Sequence, residues 1–123
     1  MEDKKVIWIT GASTGIGRAL AIKFAEKGWI VAASARRENL LKELNQINKN
    51  IYPFPVDVTN IDQCKIVSKD ILEQFKNIEI CVFCTGMHDP KSEKEFNLEK
   101  IRKIMEVNYF GVMNSINSIY SYY

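Results

Sequence analysis

Apolar positions along the chain fall into short unbroken runs that alternate with rows at helical spacing. "VIWIT", Val6 to Thr10, is apolar and β-branched without interruption and stops at Gly11, which predicts a strand buried on both faces. From Ile16 the positions Ile16, Ala19, Leu20, Lys23 by its stem, and Phe24 follow a helical row, with Gly28 placed to end it. "WIVAAS", Trp29 to Ser34, predicts a second buried strand, and Leu40, Leu41, Leu44 and Ile47 a second helix. "IYPFPV", Ile51 to Val56, predicts a third strand. Its Pro53 and Pro55 cannot donate to a ladder, which puts it at a sheet edge. Cys64, Val67, Ile71, Leu72 and Phe75 mark a third helix, leading into "IEICVFC" as a fourth strand. After a polar loop from His88 to Lys94, a long helix is marked by Ile101, Ile104, Met105, Asn108, Val112, Ser115, Ile116 and Ile119.

Strict alternation of buried strands and helices predicts an α/β fold, a parallel sheet with helices on both faces and right-handed crossovers. No repeat and no linker divides the 123 residues, so a single domain is expected. Composition agrees with a globular protein: 46% apolar and 26% charged residues exclude a disordered chain. A formal charge of +2 is too balanced for a nucleic-acid partner or an anionic membrane surface. No apolar run approaches the ~20 residues of a membrane span, and "EDKK" after Met1 does not begin a signal peptide, so the cytoplasm is expected.

Cys64, Cys81 and Cys84 are an odd count, against a disulfide framework. "CVFC" matches C-x-x-C, but within a strand its two thiols point to opposite faces, wrong for a shared metal. His88 has no companions at ligand spacing and reads as a loop residue.

The chemistry concentrates in "TGASTGIG", Thr10 to Gly17, where the first strand hands over to the first helix. Glycine within an element costs roughly 0.5–1 kcal/mol relative to alanine, so three together need either a tight turn or a surface that something approaches closely. In an open α/β sheet this is where a phosphate group meets the free N–H groups and positive dipole end of a helix. A Cβ at Gly15 or Gly17 would hold such a ligand off. The spacing is neither G-x-G-x-x-G nor a P-loop, since no Gly-Lys-Ser/Thr follows.

It is T-G-x-x-x-G-x-G, and in this position it resembles the short-chain dehydrogenase/reductase family. The resemblance implies a Rossmann-type sheet of order 3-2-1-4, a partial dinucleotide-binding domain over residues 1–123, and cofactor contacts from Gly11, Ser13, Thr14, Gly15, Ile16 and Gly17. After the second strand, the position where a Rossmann unit places its ribose-binding acid is Ala35, followed by Arg36 and Arg37. Arginines there favour NADP(H) over NAD(H) through charge-assisted bonds to the 2′-phosphate. The plain alternative is two solvated arginines partnered by Glu38. "VDV" after the third strand matches the family's aspartate, so Asp57 is implied to hold the adenine amino group, with Val58 against the ring. Asp57 equally suits capping the next helix, as do Thr59 and Asn60. Where the family carries Asn-Asn-Ala-Gly, this chain has "FCTG", which keeps only Gly86 as an implied backbone contact.

"EVNYFGV" resembles the family's V-N-x-x-G element, which implies that Asn108 is the tetrad asparagine, holding a water of a proton relay through a local helix distortion. A bond to a neighbouring carbonyl is the alternative. The rest of the tetrad, Ser and Tyr-x-x-x-Lys, is missing: the last lysine is Lys103, and no tyrosine has lysine four residues on. The resemblance therefore covers the first half of the family's fold, with an apolar face left uncovered along the fourth strand and the long helix. Two functions follow. One is the NADP(H)-binding half of a reductase acting on a small alcohol or carbonyl compound, inactive by itself, with a dimer or tetramer formed through the long helix. The other is a non-catalytic NADP(H)-binding or scaffolding module.

Overall fold

The sheet is built around β1 (Val6–Thr10), whose five residues are all buried. β1 pairs in parallel with β2 (Ile30–Ser34) on one side and with β4 (Ile80–Phe83) on the other, while β3 (Ile51–Pro53) adds outside β2. The order is β3-β2-β1-β4. The computed structural model describes residues 4–86 and 95–123, so the loop expected from His88 to Lys94, His88 included, lies outside the described residues.

Successive β1 side chains point to opposite faces, and this alternation divides the core in two. Val6 and Trp8 pack with Ala32, Val58, Cys64, Val67 and Ile71, beneath α3 (Ile61–Phe75) and α5 (Gly111–Ile119). Ile7 and Ile9 pack with Ala21, Ala25, Leu41 and Leu44, beneath α1 (Gly15–Glu26) and α2 (Glu38–Ile47). Cys81 borders the first cluster and Cys84 the second, so the two thiols of "CVFC" do lie on opposite faces. Within the first cluster the Trp8 indole N–H donates to Ser34 Oγ at 2.9 Å, which satisfies the one polar atom of a fully buried ring.

Four local expectations are corrected. The inward stripe of α1 is Gly17, Ala21 and Ala25, at i, i+4 and i+8, whereas Ile16, Ala19 and Lys23 are exposed. Small side chains let the helix lie close to the sheet directly after the turn, a position with no room for Ile16, which is 80% exposed. Likewise Ile47, expected on the inward row of α2, is exposed at the last turn of that helix. The third strand is shorter than expected, ending at Pro53, although Phe54 and Val56 still donate backbone bonds to Ala33 and Ala35. Alternate N–H groups face β2, so Pro53 and Pro55 turn their missing donors to the open edge. The long helix is not continuous: α4 (Leu98–Met105) and α5 flank a π-helical turn, Glu106–Phe110. Of the expected row only Ser115 and Ile119 are buried, and Ile101, Met105 and Asn108 are exposed.

Capping explains where α1 stops and α3 starts. Gly28, at φ +90, follows α1, with Gly28 N–H donating to Ala25 O and Trp29 N–H to Phe24 O. Phe24 and Trp29 meet edge to face at 5.0 Å, the apolar contact that accompanies this termination. Asn60 caps α3 by accepting from Gln63 N–H at 3.0 Å.

Candidate functional site: a cleft at the carboxyl ends of the strands

Gly11 adopts φ +68, and a Cβ there would come within 2.6 Å of the Cys84 carbonyl carbon and the Thr85 nitrogen. Glycine is therefore needed twice over, for the left-handed turn and for seating that turn against the end of β4. Gly17 is also a packing requirement, since its Cβ would fall 2.1 Å from Gly11 O. This corrects the expectation that Gly17 is bare so that a ligand can approach. Gly15 differs: its φ is +59 and a Cβ would meet nothing within 4 Å, so this glycine does face open space.

That space is a cleft of about 710 Å³. One wall is the turn, residues 11 and 13–17; the floor comes from residues 35–37 after β2, 56–59 after β3 and 84–86 after β4. Lys103, Glu106 and Val107 close the far side from α4 and the π-turn. The cleft thus gathers Gly11, Ser13, Thr14, Gly15, Ile16, Gly17, Arg36, Arg37, Asp57, Val58 and Gly86, segments far apart in sequence. Asn108 is not in its lining but stands behind it, with Oδ1 3.8 Å from the position of a Cβ on Gly86. The π-turn spans Asn108, and α5 beyond it is held down on the end of β3. Asn114 Nδ2 donates to Val58 O at 2.9 Å, and Gly111 leaves room for Val58, whose Cγ2 lies 2.6 Å from a Cβ at that position.

Electrostatically the cleft suits an anion with an apolar part. Thr14 precedes α1 without a side-chain cap, so the first N–H groups of the helix have no side-chain acceptor among the described residues. Arg36 and Arg37 have no ion-pair partner among the described residues, because Glu38 pairs with Lys42 at 3.0 Å instead. Asp57 Oδ1 accepts from Thr59 N–H at 3.0 Å and from Thr59 Oγ1 at 2.7 Å. The Thr59 hydroxyl foremost, then its backbone N–H and the nearby Arg36 charge, hold the Asp57 carboxyl below its ordinary value against the opposing effect of burial. Asp57 therefore shapes its own turn, and capping of α3 is left to Asn60.

Thr85 was not singled out by the sequence pattern. It lines the cleft, yet its Oγ1 is buried without a hydrogen-bond partner among the described residues, a state that costs roughly 1–3 kcal/mol. Burial pushes the adjacent Cys84 thiol above its ordinary value. Lys103, Glu106 and Val107 were also missed. The available signal was the place of Val107 and Lys103 four and eight residues before Gly111, with Glu106 beside Val107.

A dinucleotide fits the residues present on two observations: the open space in front of Gly15, and an unpartnered hydroxyl at the opposite end of the cleft. The short chain dehydrogenase family model matches residues 5–123. A Dehydrogenase/reductase SDR family protein 7-like of Dictyostelium discoideum is 35% identical over 96% of this chain and 41% of its own length. An NADPH-dependent 1-acyldihydroxyacetone phosphate reductase of Schizosaccharomyces pombe is 32% identical over 92% of this chain and 38% of its own. The solved structure of ElxO with NADP bound superposes with a TM-score of 0.88 at 22% identity, over 97% of this chain and 50% of that one, a likeness of fold. The chain spans less than half the length of these two relatives. Fold, turn and extent of match agree, and the chain belongs to the short chain dehydrogenase family.

Proposed function

We propose that the cleft binds NADP(H) in preference to NAD(H), and that these residues form the cofactor half of an oxidoreductase acting on an alcohol or carbonyl group of a small molecule. The observation that carries the choice of cofactor is the pair Arg36 and Arg37, which border the cleft without an ion-pair partner among the described residues. The bound group supplies a hydride donor or acceptor. The chain's own residues then divide the binding. The N–H groups at the start of α1, with the Ser13 and Thr14 hydroxyls, take the pyrophosphate beside Gly11, Gly15, Ile16 and Gly17. Arg36, with Arg37, takes the 2′-phosphate. Asp57 takes the adenine amino group and Val58 lies against the ring. Gly86 gives a backbone contact beside Asn108, and Asn108, within the π-turn, holds a water of a proton relay. No Tyr-x-x-x-Lys occurs within these 123 residues, so binding without turnover is expected of them.

NADPH titration followed by fluorescence tests the reading. Arg36→Ala should weaken NADPH by about 10–100-fold, the range of a charged hydrogen bond, and leave NADH within about threefold. Equal losses would remove the 2′-phosphate from Arg36. NADPH binding that fails in the unaltered chain would favour the scaffolding alternative, and NADPH oxidation by these residues alone would overturn the account of the missing groups.

A further inference from the structure

Thr85 stands at one end of the cleft in an unfavourable state that a ligand can relieve. Its backbone nitrogen is pressed against the Gly11 turn, the residue is only half buried and borders the cleft, and yet its Oγ1 is sealed off with no partner among the described residues. Threonine has two other staggered χ1 positions, and leaving the present one breaks no hydrogen bond. We propose that Thr85 is a cofactor-positioning residue, whose hydroxyl turns into the cleft on binding and takes an oxygen of the nicotinamide-side half of the dinucleotide.

This inference rests on the NADP(H) reading of the cleft. Sheet order supplies the choice of half. Arg36 and Asp57 follow β2 and β3, on one side of β1, whereas Thr85 follows β4, on the other. A dinucleotide with its adenosine phosphate at Arg36 and its pyrophosphate at the Gly11 turn must carry its second half over the end of β4. Gly86 and Asn108 stand there with Thr85. The threonine hydroxyl can donate to a carbonyl or ribose oxygen and accept from a ribose hydroxyl, so either partner satisfies it.

Two ligands separate the halves: NADPH, and adenosine 2′,5′-bisphosphate, which carries only the adenosine side. In Thr85→Ala the NADPH dissociation constant should rise about 3–10-fold, the range of one neutral hydrogen bond, while that of the bisphosphate changes by less than twofold. The isosteric Thr85→Val should repeat the NADPH loss, and Thr85→Ser, which keeps the hydroxyl, should bind within twofold of the parent. The ligand-free thermal midpoint of Thr85→Ala should be unchanged or higher, because a buried unpartnered hydroxyl has been removed. Equal losses for both ligands, no loss for either, or a lower ligand-free midpoint would each overturn the assignment. Failure of the unaltered chain to bind either ligand would overturn the NADP(H) reading itself.

Discussion

Three glycines within seven residues do three different jobs, and substitution should separate them. Gly17→Ala drives a methyl onto the Gly11 carbonyl oxygen, and Gly11→Ala drives one into the Cys84–Thr85 backbone. Neither neighbour is a flexible side chain, so each should destabilise the fold by about 3 kcal/mol or more. Gly15→Ala meets open space and carries only the strain of its left-handed backbone, about 1–2 kcal/mol. Urea unfolding of the three variants checks the ranking, and a Gly15→Ala chain as unstable as Gly17→Ala would contradict it. Asp57 gives a pH-dependent test at the same scale. Its folded-state value lies below the ordinary 3.8, so its contribution is complete above about pH 4 and disappears as pH falls through the lowered value. In Asp57→Asn the fall in stability below about pH 4 should be shallower than in the parent. Parallel profiles would show that the Thr59 bonds do not carry the shift.

At the scale of elements, the junction between α5 and the end of β3 rests on one absent side chain. Gly111→Ala gains helix propensity of about 1 kcal/mol but sets a methyl 2.6 Å from Val58 Cγ2. We expect net destabilisation of about 1–2 kcal/mol, and partial recovery when Val58→Ala is added. Additive losses in the double-mutant cycle would mean that the two residues do not meet. The same elements show what was legible beforehand. Strand and helix alternation was plain because strands buried on both faces read as unbroken apolar runs, as Val6–Thr10 does. Edge placement of the third strand followed from Pro53 and Pro55. The phase of α1 was not legible, because an apolar count looks for bulky residues and the inward row is Gly17, Ala21 and Ala25. The sequence pattern located the glycine turn, Arg36 and Asp57 but not Lys103, Glu106, Val107 or Thr85. The first three reach the cleft only through the packing of α4, and Thr85 draws notice only by the lost partner of its hydroxyl.

At the scale of the whole molecule, each face of the sheet is covered by two helices, and the apolar surface left open runs along the last ones. α4 contains no buried residue, and Ile101, Met105, Tyr109 and Met113 are exposed at regular intervals along it, the π-turn and α5. Such a stripe is the feature expected to bring two copies together. Sedimentation equilibrium should show concentration-dependent association, which Met105→Lys combined with Tyr109→Lys should reduce; association unchanged in that variant would place the contact elsewhere.

The seating of Gly11 against Cys84 and Thr85 also bears on the order in which the molecule assembles. β1 pairs with β2 through Val6 and Ile30, a short loop closure, but with β4 through Ile7 and Ile80, a much longer one. Long closures cost more entropy, so β4 is expected to dock after β2. Until it does, the turn has nothing to rest on and Thr85 is absent from the cleft. A nucleotide bound there would therefore recognise only the completed sheet, and would stabilise it against any form in which β4 is undocked.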